Sequence, residues 1–370
     1  MIPVFEPVIG EEEIAFVTDA LRKGELSGTF GHYLESFEQE FAAYSGCKYG
    51  VAVSNGTTAL HLAVAAAGVQ PGDEVLISAS TNIATALGVV HNGAIPVPVD
   101  SEEETWNLDI NLIESLITSK TKAIIPVHLF GHPVDMDALM AIANKHNLVV
   151  IEDCAESHGA TCRGKMTGSF GAMGCYSFYA NKVITTGEGG MVVTNDESLV
   201  TKLKLLRNLA FTEPRFRHEV AGYNFRMTGY QAAMGLAQTR KIEKIVEEKR
   251  RVAHTYNRYL GDIVGLQLPI ERDWAKNVYW MYAVVVNPEF GISRNDLAKL
   301  LKEEGVDTRT FFCSMGDQPC LQQIDGFRSV PTPVASRIWE TGIYLPSTHT
   351  LSKADICFVA DAIKKIQTSL

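Results

Sequence analysis

From residue 49 onward, short apolar runs alternate with stretches whose apolar positions recur at helical spacing. YGVAVS (49–54) leads into a helical pattern from Thr57. EVLIS (74–78) precedes a helix over about 83–91, and IPVPVD (95–100) precedes one near 110–118. KAIIPVHL (122–129) precedes a helix over about 135–146, and LVVIEDC (148–154) follows. Strands that are apolar on both faces and separated by helices predict a mostly parallel sheet flanked by helices, an α/β fold. CYSFY (175–179) and GMVVTN (190–195) add a hairpin-like pair of strands.

The pattern then changes. Residues from about 196 to 261 read as helical. In KIEKIVEEKRRVAHTYNRYL, Ile242, Ile245, Val246 and Val252 fall near helical spacing, and the charged run reads as a solvated face with Glu–Lys pairs. VYWMYAVVV (278–286) reads as a strand, with Tyr279, Trp280 and Tyr282 as core residues or, as the alternative, residues that face the substrate. SRNDLAKLLKEEG (293–305) reads as a helix capped by Ser293, and ADICFVADAIKKI (354–366) as a closing helix. The expected plan is a large α/β domain over residues 1–250 and a small C-terminal α+β domain over residues 251–370.

Charge narrows the partners. The 370 residues carry 33 Lys+Arg against 43 Asp+Glu, a formal charge of −10. Such a chain lacks the electrostatic footprint of a general nucleic-acid or anionic-membrane binder. The N-terminus, MIPVFEPVIGEEEIAF, has no basic leader pattern, and no apolar run is long enough to span a bilayer. Seven scattered Cys without a CxxC pair read as reduced, mostly buried thiols in a cytoplasm.

Four segments carry the candidate chemistry. Ser54-Asn55-Gly56-Thr57-Thr58 joins a strand to a helix, where backbone N–H groups and the helix dipole favour a phosphate; a capped helix start explains it equally. Asp153 ends an apolar strand, the place where open α/β sheets bind ligands, and it also suits a capping role. Lys182 lies between the run SFYAN and a Gly-rich turn, ITTGEGG. A buried Lys has a lowered pKa and suits Schiff-base chemistry; an exposed loop Lys is the alternative. GYNFRMT (222–228) mixes aromatics, an amide and Arg226 ahead of the helical QAAMGLAQ, and it also fits a plain helix entry. Phosphate cradle, strand-end Asp and Schiff-base Lys, in that order, are the parts that a pyridoxal 5′-phosphate enzyme needs.

The whole chain resembles the DegT/DnrJ/EryC1/StrS family of sugar aminotransferases. The resemblance is carried by IPVFEP, SNGTTALHLA, GDEV, PVHLFGHPVDMD, VIEDCAESHGA, SFYANKVITTGEGGMVVTND, GYNFRMT and LPS at 345–347. Within the family the chain is most similar to the GDP-perosamine synthases. The resemblance implies an aspartate-aminotransferase-like (type I) fold with pyridoxal 5′-phosphate as cofactor. It implies a catalytic pair, Lys182 as the Schiff-base amine and Asp153 at the pyridine nitrogen. It implies that Gly56, Thr57, Thr58 and Ser177 hold the phosphate, and that Glu156 lies near the ring. Asn224 would reach the cofactor of a neighbouring subunit, so that a homodimer shares its sites. Arg226 becomes a candidate for the donor carboxylate of L-glutamate, and Arg309 and Phe311 for the keto-sugar nucleotide. The implied reaction aminates C4 of a GDP-4-keto-6-deoxy-hexose for surface-polysaccharide (O-antigen) synthesis.

Two positions depart from the family pattern. Asn82, in SASTNIA, stands where relatives have an aromatic that stacks on the cofactor. RTFFCSMGDQP (309–319) replaces RPxFxPMHxxP, with Ser314 for a Pro and Gly316 for a His. These leave UDP- or dTDP-linked keto-sugars and small phosphorylated ketones as alternative acceptors. Sugar dehydration is disfavoured, because dehydrating relatives carry His in place of the Lys. A non-catalytic cofactor-binding regulator is the alternative from another class. A nicotinamide-dependent dehydrogenase lacks its Gly fingerprint here. His128 and His132 lack the clustering that a metal site wants, so no metal is expected.

Overall fold

The computed structural model describes residues 1–370. Its main sheet has seven strands: β1 (Tyr49–Val53), β2 (Glu74–Ser78), β3 (Ile95–Val99), β4 (Thr121–Ile125), β5 (Val149–Asp153), β6 (Met173–Ser177) and β7 (Gly190–Thr194). They lie in the order β1-β7-β6-β5-β4-β2-β3. β3, β2, β4, β5 and β6 are parallel neighbours. β7 runs antiparallel to both β6 and β1, so the expected hairpin partner sits between them. Every residue of β2, β3, β6 and β7 is buried, which is why these strands read as unbroken apolar runs.

Separate cores cover the two faces. One contains Val51, Val53, Leu62, Ile77, Ile125 and Ile151. The other is aromatic, with Phe37, Phe41, Tyr176 and Phe178, and includes Ala232 and Leu236 of the helix Gly229–Arg240.

The C-terminal part has its own four-stranded antiparallel sheet, Leu266–Gln267, Tyr282–Val286, Gly342–Leu345 and Arg309–Thr310 in spatial order. The helices Arg294–Glu303 and Lys353–Thr368 pack into its core through Leu297, Leu301, Ile356 and Ile363. Ser293 caps the first of these helices, accepting the Asp296 N–H at 3.2 Å. The 19-residue helix Ile242–Leu260 joins the two parts. Ile242, Ile245 and Val246 pack in the aromatic core, and Val252, Ala253, Tyr256 and Leu260 in the core of the small sheet. The N-terminus also joins the small sheet's side, where Ile2 pairs with Val306.

Three expectations need correction. The span 196–261 is not one helical region: helices end at Arg207 and restart at Gly229. Between them Asn208 pairs with Asn224, and Arg226 pairs with Val53, so main-chain bridges replace helical bonds. The run 278–286 becomes a strand only from Tyr282; Tyr279 adopts φ 48°, and the Trp280 N–H bonds Phe130 O at 2.8 Å. The run 122–129 is strand only to Ile125, and Leu129–Gly131 is a 3₁₀ turn.

Candidate active site

The carboxyl ends of β1, β5 and β6 open onto one cavity of about 940 Å³. Parallel strands aim their C-terminal ends, and the helices that follow aim their N-termini, toward the same space. The opposite wall comes from the small sheet and the segment before it.

The first element is a helix N-terminus. Asn55 caps the helix Gly56–Ala66: its Oδ1 accepts the Thr58 N–H at 2.8 Å, and Thr58 Oγ1 accepts the Asn55 N–H at 3.2 Å. The cap therefore takes the Thr58 amide. The Gly56 and Thr57 amides precede any intrahelical acceptor and stay available to an anion. Gly56 backs onto Ser177: a Cβ at this position would lie 2.7 Å from Ser177 Cβ. The cradle thus combines free amides, a hydroxyl and a position closed to any side chain. It fits a phosphate group.

Asp153 ends β5 and is 4 % exposed. Its Oδ2 accepts from Thr85 Oγ1 at 2.8 Å, and its Oδ1 from the Ala155 N–H at 3.1 Å. Burial pushes its pKa up, while these donors and the Lys182 charge oppose the rise. A buried carboxylate without an ion-pair partner suits a protonated pyridine nitrogen.

Lys182 Nζ lies 3.9 Å from the centroid of the Trp280 ring. Burial pushes its pKa down, and the carboxylates of Glu156 and Asp153 pull it back. Glu156, also buried, accepts the Phe130 N–H at 2.8 Å. Burial lifts its pKa to about 7, against the opposing Lys182 charge. The three groups line one cavity, where the charge of each shifts the protonation of the others.

Gly56, Thr57, Thr58, Asn82, Asp153, Glu156, Ser177, Lys182 and Arg309 all line this cavity. Three expected residues do not. Phe311 is 2 % exposed and packs against Trp106, Phe130 and Tyr344, because its strand turns it into the aromatic core; Phe312 lines the cavity instead. Arg226 is half-buried and donates to Asn208 Oδ1 at 2.7 Å, held there by the bridge to Val53. Asn224 is exposed and lies outside its own chain's cavity. Asn82 does line the cavity, but its Oδ1 also accepts the Ala84 N–H at 3.0 Å and so starts a helix.

Phe312, Tyr344 and Tyr179, which the sequence pattern does not mark, line the cavity, and so does Trp280, for which core packing was the first expectation. Trp280 and Tyr344 pass for core residues at 3 % and 6 % exposure. The available signal was three bulky residues in succession, Tyr279-Trp280-Met281, which breaks the alternation of a half-buried strand.

His128, Glu152 and Cys154 bring potential metal donors within 4.8 Å of one another. Their bonding is already directed inward. Glu152 accepts the N–H groups of Gly168, Phe170 and Gly171, and His128 Nδ1 accepts the Val134 N–H. Cys47, Cys154, Cys162 and Cys175 are buried free thiols, whereas Cys320 is exposed.

Residues 7–364 match the DegT/DnrJ/EryC1/StrS aminotransferase family. The chain belongs to this family. It is 39 % identical over 367 residues to the GDP-perosamine synthase of Caulobacter vibrioides, covering 99 % of this chain and 98 % of that protein. It is 37 % identical over 365 residues to the GDP-perosamine synthase of Escherichia coli O157:H7, covering 98 % of each. The Streptococcus pneumoniae protein Spr1654 in its PLP-form superposes with a TM-score of 0.92 at 26 % identity, covering 100 % of this chain and 99 % of that one. The fold is that of the type I aminotransferases, the enzyme is a transaminase, and pyridoxal 5′-phosphate is its cofactor.

Proposed function

We propose that this aminotransferase moves the amino group of L-glutamate to C4 of a GDP-4-keto-6-deoxy-hexose, giving a perosamine-type product for surface polysaccharide. The observation that carries the chemistry is the convergence of Lys182, Asp153 and Glu156 beside the Gly56–Thr57–Ser177 cradle. The GDP-sugar assignment rests on the perosamine-synthase relatives.

Gly56, Thr57 and Ser177, with Thr58 behind them, would hold the cofactor phosphate. Asp153 would hold the pyridine nitrogen in its charged form. Pyridoxal 5′-phosphate, when bound, supplies an electron sink for the α-carbon of the amino donor. Lys182 Nζ takes the proton from the donor α-carbon and returns it on the same face of the cavity. Burial lowers its pKa and so favours the neutral amine that acts as base. Glu156 sets the local charge around that amine. Arg309, held by Asp307 at 2.7 Å, and Phe312 face the acceptor.

The active unit is a homodimer in this reading. Asn224 is exposed outside its own cavity, on a segment that also exposes Leu209, Phe216, Val220 and Tyr230. That arrangement supports delivery of Asn224, and of the nearby Arg226, toward a partner's site. The 1–250 part carries the cofactor, and the 251–370 part caps the acceptor. No helix is long and apolar enough to cross a membrane, and the proposed setting is the cytoplasm. The chemistry requires no metal.

The test is incubation of the loaded enzyme with L-glutamate and GDP-, UDP- or dTDP-linked 4-keto-6-deoxy sugars, followed by product mass. The GDP-linked substrate should gain an amine with release of 2-oxoglutarate. The Lys182→Ala variant should lose both turnover and the visible absorbance of the bound cofactor. Amination of only a UDP- or dTDP-linked sugar overturns the acceptor assignment. Unchanged absorbance in Lys182→Ala overturns the role of Lys182.

A further inference from the structure

Trp280 is fixed at three points of its own. Its indole Nε1–H donates to Asn181 O at 2.7 Å, the residue just before Lys182. Its backbone N–H donates to Phe130 O at 2.8 Å. Its carbonyl accepts from the buried ammonium of Lys249 at 2.5 Å, and Lys249 also reaches Ser347 O at 2.6 Å. A side chain pinned in this way cannot drift under its neighbour. Its ring face lies 3.9 Å from Lys182 Nζ, well inside the distance of about 6 Å at which an ammonium is attracted by an aromatic quadrupole.

We propose that the indole face of Trp280 is a platform for the Lys182 amine, which rests there when free of the cofactor and is stabilised there in its protonated form. Trp280 is thus a positioning residue for the proton carrier. The inference rests on the reading of Lys182 as the reacting amine. It gives a role to a residue that the sequence pattern first suggests as core packing.

The physical need is specific. Lys182 must be neutral to take a proton and charged to give one back. Partial burial at the cavity wall disfavours its charged form. Asp153 at the end of β5 and Glu156 just after it offset this loss through charge. Buried His158 acts on the same amine, and Lys249 and His349 line a small chamber that Lys182 also borders. The carboxylates are held by Thr85, Ala155 and Phe130, so neither can follow the amine as it moves. The indole offers a flat, unselective attraction that tolerates that motion. Its bond to Asn181 O ties the platform to the main chain that carries the lysine.

The deciding experiment uses cofactor-free protein and needs no turnover. The rate at which an acylating reagent modifies Lys182 is followed against pH by peptide mass spectrometry. Protein is made with native, mono-, di- and trifluorinated tryptophan, which weakens the ring quadrupole at almost constant shape. The midpoint for Lys182 should fall stepwise with fluorine content, by about 0.5–1 pH unit in total. In a Trp280→Phe background the same labelling should produce no further fall, although Trp106, Trp274 and Trp339 remain. A midpoint independent of fluorine content overturns the proposal, as does a fall that persists in Trp280→Phe. As a second readout, Trp280→Leu should slow single-turnover transfer from L-glutamate about 10–100-fold at unchanged glutamate affinity. Weaker glutamate binding at an unchanged transfer rate overturns it. Failure of the acceptor assignment would leave the labelling result standing.

Discussion

The two walls of the cavity are built from different materials. The wall formed by the ends of β1, β5 and β6 presents Gly56, Thr57, Asp153, Glu156 and Ser177. The wall formed by the small sheet and its entrance presents Trp280, Met281, Phe312, Tyr344 and Arg309. On the first, nearly every functional group is oriented by a hydrogen bond to main chain or hydroxyl. On the second, Trp280 apart, rings orient one another: Phe130, Phe311, Phe312 and Tyr344 have centroids 4.7–6.3 Å apart. The difference teaches where each kind of specificity lives. In the proposed reading a constant phosphorylated cofactor is met by fixed donors and charges. In the same reading the acceptor is met by shape and aromatic surface, with Arg309 as the charged contact.

The largest expected break between the walls is Asp153→Asn. Removing the charge on the polar wall should lower turnover by about 10²–10⁴-fold in both half-reactions, with the acceptor KM little changed. Stopped-flow kinetics with each substrate alone measures this. An acceptor-only defect would refute the division.

Next comes a pair on the aromatic wall. Phe311→Ala should cost about 3–5 kcal/mol of stability, because the ring is buried among Trp106, Phe130 and Tyr344. Phe312→Ala should cost little stability and raise the acceptor KM about tenfold. Denaturant titration and steady-state kinetics on both variants separate the two roles. Reversed effects would restore Phe311 as the substrate contact.

The smallest effect concerns Glu156. Its pKa is raised from an ordinary carboxyl value to about 7 in the fold. The folded chain therefore binds more protons than the unfolded one between about pH 4.5 and 7. This group's contribution makes stability fall as pH rises through that window. Glu156→Gln should flatten the slope in cofactor-free protein, as read by melting temperature across the window. An equal slope in the variant would mean that the carboxyl titrates elsewhere.

Much of the polar wall was legible in the sequence because its chemistry is local. A helix start, a strand-end carboxylate and a lysine before a Gly-rich turn each occupy a few consecutive residues. The chain order of strands and helices likewise follows from period alone. The aromatic wall was not legible. Trp280 and Phe311 have the same apolar character, and only the turn at Tyr279 and the pairing of Thr310 with Ile343 decide which ring meets the cavity. The stretch from 208 to 228 also misled, since its bridges run to β1 and back on itself, beyond any helical period.

The sequence by itself determined the parallel order of strands and helices and pointed to Gly56, Asp153 and Lys182, which the fold brings to one cavity. Periodicity and short motifs encode such features, because backbone geometry fixes them within a few residues. Only the tertiary structure decided that Trp280 lies under Lys182, that Phe312 rather than Phe311 faces the cavity, and that Asn224 turns away from its own site. These depend on contacts outside any local period, from the Asn208–Asn224 bridge to the indole bond to Asn181 O across 99 positions.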